Sequence, residues 1–242
     1  MSDTDFVLRE DHRFKRHEIL VGKYLPQKDE HGYFALHSLT IPQITVSIER
    51  LKETFLDTGR IYSESLTSAA SADTHPDGYS RRYEVKSPSG DRSTSQMTTC
   101  YFDGYIVTDG YLDIFYEDND GFNPNWFTCK IQRHLQLTRE VFEGLTDEVT
   151  CAVIFENIEQ FKWELYRSGH IWQKKPYAGY HGDIVFEVKL DTIHDRERWN
   201  TKMNIVEDIM IRIARIFGMD SLPQAYWNED GELDYPHGIA GR

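Results

Sequence analysis

The sequence predicts a single α+β domain, with a mixed or mainly antiparallel β-sheet covered by about three amphipathic helices. Three observations carry this expectation. Apolar residues fall at helical spacing in residues 44–56, 130–145 and 204–217. Short β-type runs bounded by Gly, Asp, Asn or Pro recur at residues 33–39, 98–107, 149–155 and 183–190. Aromatic residues make up 13% of the chain, which favours a sheet-rich core with large side chains. The 242 residues have room for one large core, and no internal repeat divides them.

Residues 1–8 read as a polar, flexible leader. Residues 9–23 read as a helix with a basic cluster, Arg13, Lys15, Arg16 and His17. After a turn ending at Gly32, residues 33–39 alternate as a strand. Pro42 stops it, and Ile44, Ile48, Leu51 and Phe55 then mark one face of a helix over 44–56. Residues 63–95 are rich in Ser and Thr and read as a mobile loop region around one short strand at 82–86. The stretch 97–145 organises the rest. Thr98, Cys100 and Phe102, then Tyr105, Ile106 and Val107, are β-type; Thr108-Asp109-Gly110 reads as a hairpin turn, with 111–116 returning. Asn123-Pro124-Asn125 breaks the chain ahead of a helix over 130–145, whose inner face is Ile131, Leu135, Thr138, Phe142 and Leu145. The apolar run 149–155 is the expected central strand. Residues 161–166 and 183–190 follow as strands. Asn204 caps a helix that Gly218 stops, and 220–242 form an acidic tail.

Lys and Arg number 27 against 40 Asp and Glu, a net charge of −13. That balance opposes long-range attraction to DNA, RNA or anionic lipid, while leaving room for a local basic site. Cys100, Cys129 and Cys151 have neither metal-ligand spacing nor the even number of a disulfide framework, and read as small core residues. No apolar run is long enough to span a bilayer and the first residues carry no apolar signal core, so the expectation is a soluble, cytoplasmic protein.

Two patterns invite chemistry. Asp77 with Glu84-Val85-Lys86 has the letters of a magnesium-dependent nuclease core, in which two carboxylates share the metal and the Lys polarises phosphate or water. The spacing is short, and Glu187-Val188-Lys189 repeats its second half, so a charged strand edge explains it more simply. The other is the basic, aromatic segment 169–182, with His170, Trp172, Lys174, Lys175, Tyr177 and Tyr180 as candidate ligand- or partner-binding residues. Aromatics interleaved with cations stack rings and hold anions; the simpler reading is a hairpin whose rings fold back on the sheet. The ten histidines match no metal-ligand spacing, and no Gly-x-Ser-x-Gly elbow, Walker loop or Gly-x-Gly-x-x-Gly occurs. No cofactor or metal is therefore expected, and no catalytic residue is assigned.

The order of landmarks resembles the region that follows the Alba-type DNA-binding domain in bacterial Schlafen-like proteins. The basic helix 9–23 leads into Phe34-Ala35-Leu36-His37-Ser38-Leu39-Thr40-Ile41-Pro42; Pro76-Asp77-Gly78-Tyr79 and Tyr101-Phe102-Asp103-Gly104 follow. Ile216-Phe217-Gly218 and Tyr226-Trp227-Asn228-Glu229-Asp230-Gly231 close the pattern. The DNA-binding domain itself is missing here, so the resemblance implies neither DNA binding nor catalytic residues, and makes Asp77 a turn residue. The expected function is a non-enzymatic binding or sensing module acting through a protein partner, a ligand or self-association, in a bacterial DNA-transaction or defence setting. The alternatives are the nuclease and a purely structural subunit.

Overall fold

Asp11 starts the first helix because its side chain accepts a hydrogen bond from the Arg13 amide at 2.7 Å, satisfying one of the free N–H groups of the first turn. The computed structural model describes residues 8–26, 31–57, 69–86, 92–112, 120–167, 170–179, 182–193 and 204–222. After a short 3-10 turn at Leu8–Glu10, α1 runs His12–Tyr24 and β1 runs Tyr33–Leu39. β1 is buried along its whole length, with Tyr33, Ala35 and Leu39 on one face of the sheet and Phe34 and Leu36 on the other.

α2 (Ile48–Asp57) begins four residues later than the apolar spacing predicts. Residues ahead of it are tied to a neighbouring turn instead: the Thr40 amide donates to Gly104 O (3.1 Å) and the Val46 amide to Phe102 O (2.7 Å). Ser47 then caps the helix, accepting from the Arg50 amide at 3.1 Å.

The Ser/Thr-rich region is sheet, not loop. β2 (Ala69–His75), β3 (Gly78–Lys86) and β4 (Arg92–Tyr101) occupy most of 69–101, where only a short strand at 82–86 and the β-type run from Thr98 were expected. Side chains such as Ser80 and Thr99, whose hydroxyls meet at 3.0 Å, satisfy one another across the strands, so polar composition and sheet coexist. The hairpin turn also moves. It is Phe102-Asp103-Gly104, with Gly104 at φ 74°, and β5 (Tyr105–Tyr111) passes straight through Thr108-Asp109-Gly110. Gly110 is there for close approach: a Cβ would lie 2.6 Å from the Ser95 carbonyl oxygen.

β6 (Gly121–Phe122) precedes α3 (Pro124–Phe142). Asn123-Pro124 opens this helix six residues before the predicted start. Asn123 accepts from the Trp126 amide at 3.0 Å, and Pro124 takes the first helical position, where its missing N–H costs nothing. Leu145, expected on the inner face, lies beyond the helix and is exposed. β7 (Glu148–Glu156), β8 (Lys162–Arg167), β9 (His170–Pro176), β10 (Ile184–Lys189) and α4 (Asn204–Ile216) complete the described chain.

The strands form a seven-stranded sheet in the order β10-β7-β1-β5-β4-β3-β2, with every pairing antiparallel, and a second sheet β6-β8-β9. β7 is interior but not central, a place that β5 takes. One face carries the main core under α3 and α4; Phe122 and the fully buried Trp163 of the small sheet pack into it at 5.3 Å between rings. The other face carries a smaller cluster under α1. Arg50 of α2 donates to the Glu140 (3.0 Å) and Glu143 carbonyls, closing the C-terminal end of α3. No helix of the described residues is long and apolar enough to cross a membrane.

Gly110→Ala should destabilise the protein by about 2 kcal/mol, because backbone rather than a side chain blocks the new methyl group. Urea unfolding measures it; an unchanged midpoint would contradict this close packing of β5 on β4.

Candidate functional site

The strongest concentration of chemically capable side chains lies inside the sheet, in two layers back to back on β1 and β5. On the α1 face, Asp109 is fully buried and accepts at one oxygen from the Tyr33 hydroxyl (3.0 Å) and from His17 Nε2 (3.1 Å). A carboxylate only accepts, so Nε2 of His17 carries the proton. His17 Nδ1 meets the Tyr101 hydroxyl at 3.0 Å, and His37 Nδ1 meets the Tyr105 hydroxyl at 2.8 Å. Asp109 Oδ1 and His37 Nε2 are buried with no hydrogen-bond partner among the described residues.

Position in the fold explains each member. Asp109 and Tyr33 face the same way on paired antiparallel strands, and His17 descends from α1 one turn after Arg13, whose guanidinium donates to Thr40 O (3.2 Å). Burial pushes Tyr33 and Tyr105 well above the ordinary phenol range, Tyr33 further through the Asp109 charge, so both remain hydroxyl donors. Burial holds His37 well below the ordinary imidazole value, helped by the facing His17.

On the α3 face, Ser38 Oγ lies 2.9 Å from His134 Nε2 and 3.1 Å from Cys151 Sγ. Thr138 donates to Ser38 (2.9 Å), and His134 Nδ1 meets Thr108 Oγ1 at 3.0 Å. The Ser–His contact has the outline of a nucleophile and its base, but the electrostatics oppose that role. Burial pushes His134 down to about 3, too weak a base at neutral pH, and pushes Cys151 up to about 12. This layer is an internal polar tie that locks α3 to β1 and β5.

The residues singled out from sequence lie elsewhere. Asp77 is in the exposed turn before β3 and Glu84 is seven residues along that strand, roughly 23 Å away at strand rise. That separation is too large for one magnesium ion to bridge, and it leaves Asp77 in a hairpin turn and Glu84 within a strand. Among the described residues no cluster of His, Cys, Asp and Glu has the geometry of a metal site.

Within the 169–182 segment, His170–Pro176 form a strand, β9, while residues 169, 180 and 181 lie outside the described residues. β9 is the outer strand of the small sheet. Its ladder with β8 slips at Trp172, the extra residue of a bulge. Lys174 is exposed and pairs, together with Lys162, with Asp120, whose carboxyl these two amines draw down to about 2. Lys175 and Tyr177 are half-buried, Tyr177 against the main core. The side chains of His170 and Trp172, and all of Tyr180, lie outside the described residues.

Sequence reasoning missed the buried network. Its one visible signal is that His17, Tyr33, His37, Tyr101, Tyr105 and Asp109 sit inside or beside apolar runs where a charge is costly. The chain matches no family model, no curated protein and no solved structure.

Two measurements test this account. Asp109→Ala strands His17 and the Tyr33 hydroxyl, and should cost about 3–5 kcal/mol of unfolding free energy. For pH, His37 and His134 have folded values depressed below the unfolded one. Their stabilisation is complete above the unfolded value and is lost as pH falls below about 6.5, with His134 contributing a loss of about 2 kcal/mol at about pH 5. His134→Gln should remove its share of that slope; an unchanged slope would show that His134 is not buried neutral.

Proposed function

We propose that this chain is a non-enzymatic binding or sensing module that works through a protein partner. The observation that carries this reading is the enclosure of its reactive groups. His17, His37, Asp109, Ser38, His134 and Cys151 are each 3% exposed or less, and their hydrogen bonds run to one another rather than toward a cleft. A catalytic group has to reach its substrate; these groups hold elements together. The surface supports the same reading. Ile41 (54% exposed) and Ile48 (47%) present apolar side chains from the one segment that leads from β1 into α2. The resemblance to the region after the Schlafen-like DNA-binding domain adds a setting, bacterial DNA transactions or defence, as part of the proposal. The acidic balance of −13 favours a protein partner over nucleic acid.

Co-purification of the full chain from its host, with proteins and nucleic acids both identified, tests the reading. A stoichiometric protein partner is expected. Recovery of nucleic acid alone, or turnover of a substrate by the purified chain, would overturn it. If the β9 segment is the contact surface, the triple variant Trp172→Ala, Lys174→Ala, Lys175→Ala should lose the partner at least about tenfold. It should keep its melting temperature, since the exposed Lys174–Asp120 pair contributes little. Undiminished binding would make the segment structural.

A further inference from the structure

α1 and α4 are held to the body by different physics. The buried residues of α4 are Val206, Ile209, Met210, Ile213, Ala214 and Ile216, all apolar. Those of α1 are Arg13, Phe14, His17 and Val21, half of them charged or titratable. Leu20 and Tyr24 add partly buried apolar contacts, and further polar contacts surround them. Arg16 pairs with Asp103 at 2.9 Å and lies 4.1 Å over the Tyr101 ring, and Arg82 of β3 lies 4.4 Å over the Tyr24 ring. Arg9, just ahead of the helix, pairs with Asp183 at 3.1 Å.

Three histidines line this junction. His17 hangs from α1, His37 rises from β1 at 6.4 Å between rings, and His75 of β2 lies 5.4 Å from the Tyr101 ring on which Arg16 rests. We infer that α1 is a detachable cover which acidification lifts from the sheet, opening a face built of Tyr33, His37, Tyr101, Tyr105 and Asp109.

The driving force is the difference in proton binding between the closed and open forms. With α1 seated, His37 is held neutral by burial and by the facing His17, and His75 is lowered by burial, by Arg16 and by His17, against the opposing pull of Asp77 and Asp73. His37 meets water only when the helix lifts, and half-buried His75 gains further exposure then. The open form therefore binds more protons, and the equilibrium shifts toward it as pH falls below the ordinary imidazole value.

The other groups facing the junction are Asp11, Arg13 and Glu18 on or beside α1, Arg9 ahead of it, Asp103 in the β4–β5 turn, Tyr101 on β4, Tyr105 and Asp109 on β5, and Tyr33 on β1. The tyrosines stay neutral, the arginines stay charged, and Asp11 keeps its charge because Arg13 lowers it. His134 acts from beneath α3 through the sheet, and its protonation loads the whole fold rather than α1.

The inference goes beyond the binding reading, since it is measured on α1 and needs no partner. Hydrogen exchange of the full chain at about pH 7.5 and about pH 5, corrected for intrinsic rates, tests it. The α1 amides should exchange at least about tenfold faster than those of α3 at about pH 5, and faster than they do themselves at about pH 7.5. His75→Ala should reduce the acid response, and His37→Gln should remove most of it. Equal exchange in α1 and α3 at both pH values would mean that the helix leaves only with global unfolding. Fast exchange in α1 that ignores pH would mean that the histidines do not control it. Either result overturns the inference.

Discussion

A carboxylate with no water around it sets the terms for this fold. Asp109 lies in the middle of the central strand and is completely buried. Such a group is affordable only where donors converge on it. Tyr33 brings one from the neighbouring strand and His17 brings the other from the helix above. Those two bonds relate α1, β1 and β5 to one another. Around them the α1 face sets tyrosines and histidines among aliphatic residues such as Val21, Leu25, Leu39, Val107 and Ile154. The opposite face carries the larger apolar core, and its own Ser38–His134–Thr108 tie sits one residue away along the same two strands.

The two faces therefore divide the work. α3 and α4 cover the apolar face, and their burial supplies most of the hydrophobic driving force. α1 covers the other face through a smaller apolar cluster and through directional contacts that include His17 and His37. A helix held in that way sits at the low-stability end of a structure, from which moving elements are drawn.

Much of the architecture was legible in local patterns. The limits of β1 match the alternating run 33–39, and those of α4 follow from Asn204 and Gly218 within a residue. The misreadings share one cause: short polar residues serve several structures. Asp109-Gly110 has the letters of a turn, yet Asp109 is a strand residue paid for by tertiary donors, and Gly110 makes room for a neighbouring backbone. Asn123-Pro124 has the letters of a break and is a helix start. The Ser/Thr-rich stretch has the letters of a loop and forms three strands, because cross-strand hydroxyl pairs satisfy those side chains.

The sequence by itself determined the class of fold, the helices and strands with strong period, and the acidic surface, since each depends on residues close together along the chain. It did not reveal the buried site. His17, Tyr33 and Asp109 are separated by many residues and share no spacing, and His37 and His134 meet only through opposite faces of one sheet. Whether a histidine is a solvated base, a metal ligand or a buried neutral strut depends on which strands and helices enclose it, and that is decided when the sheet assembles.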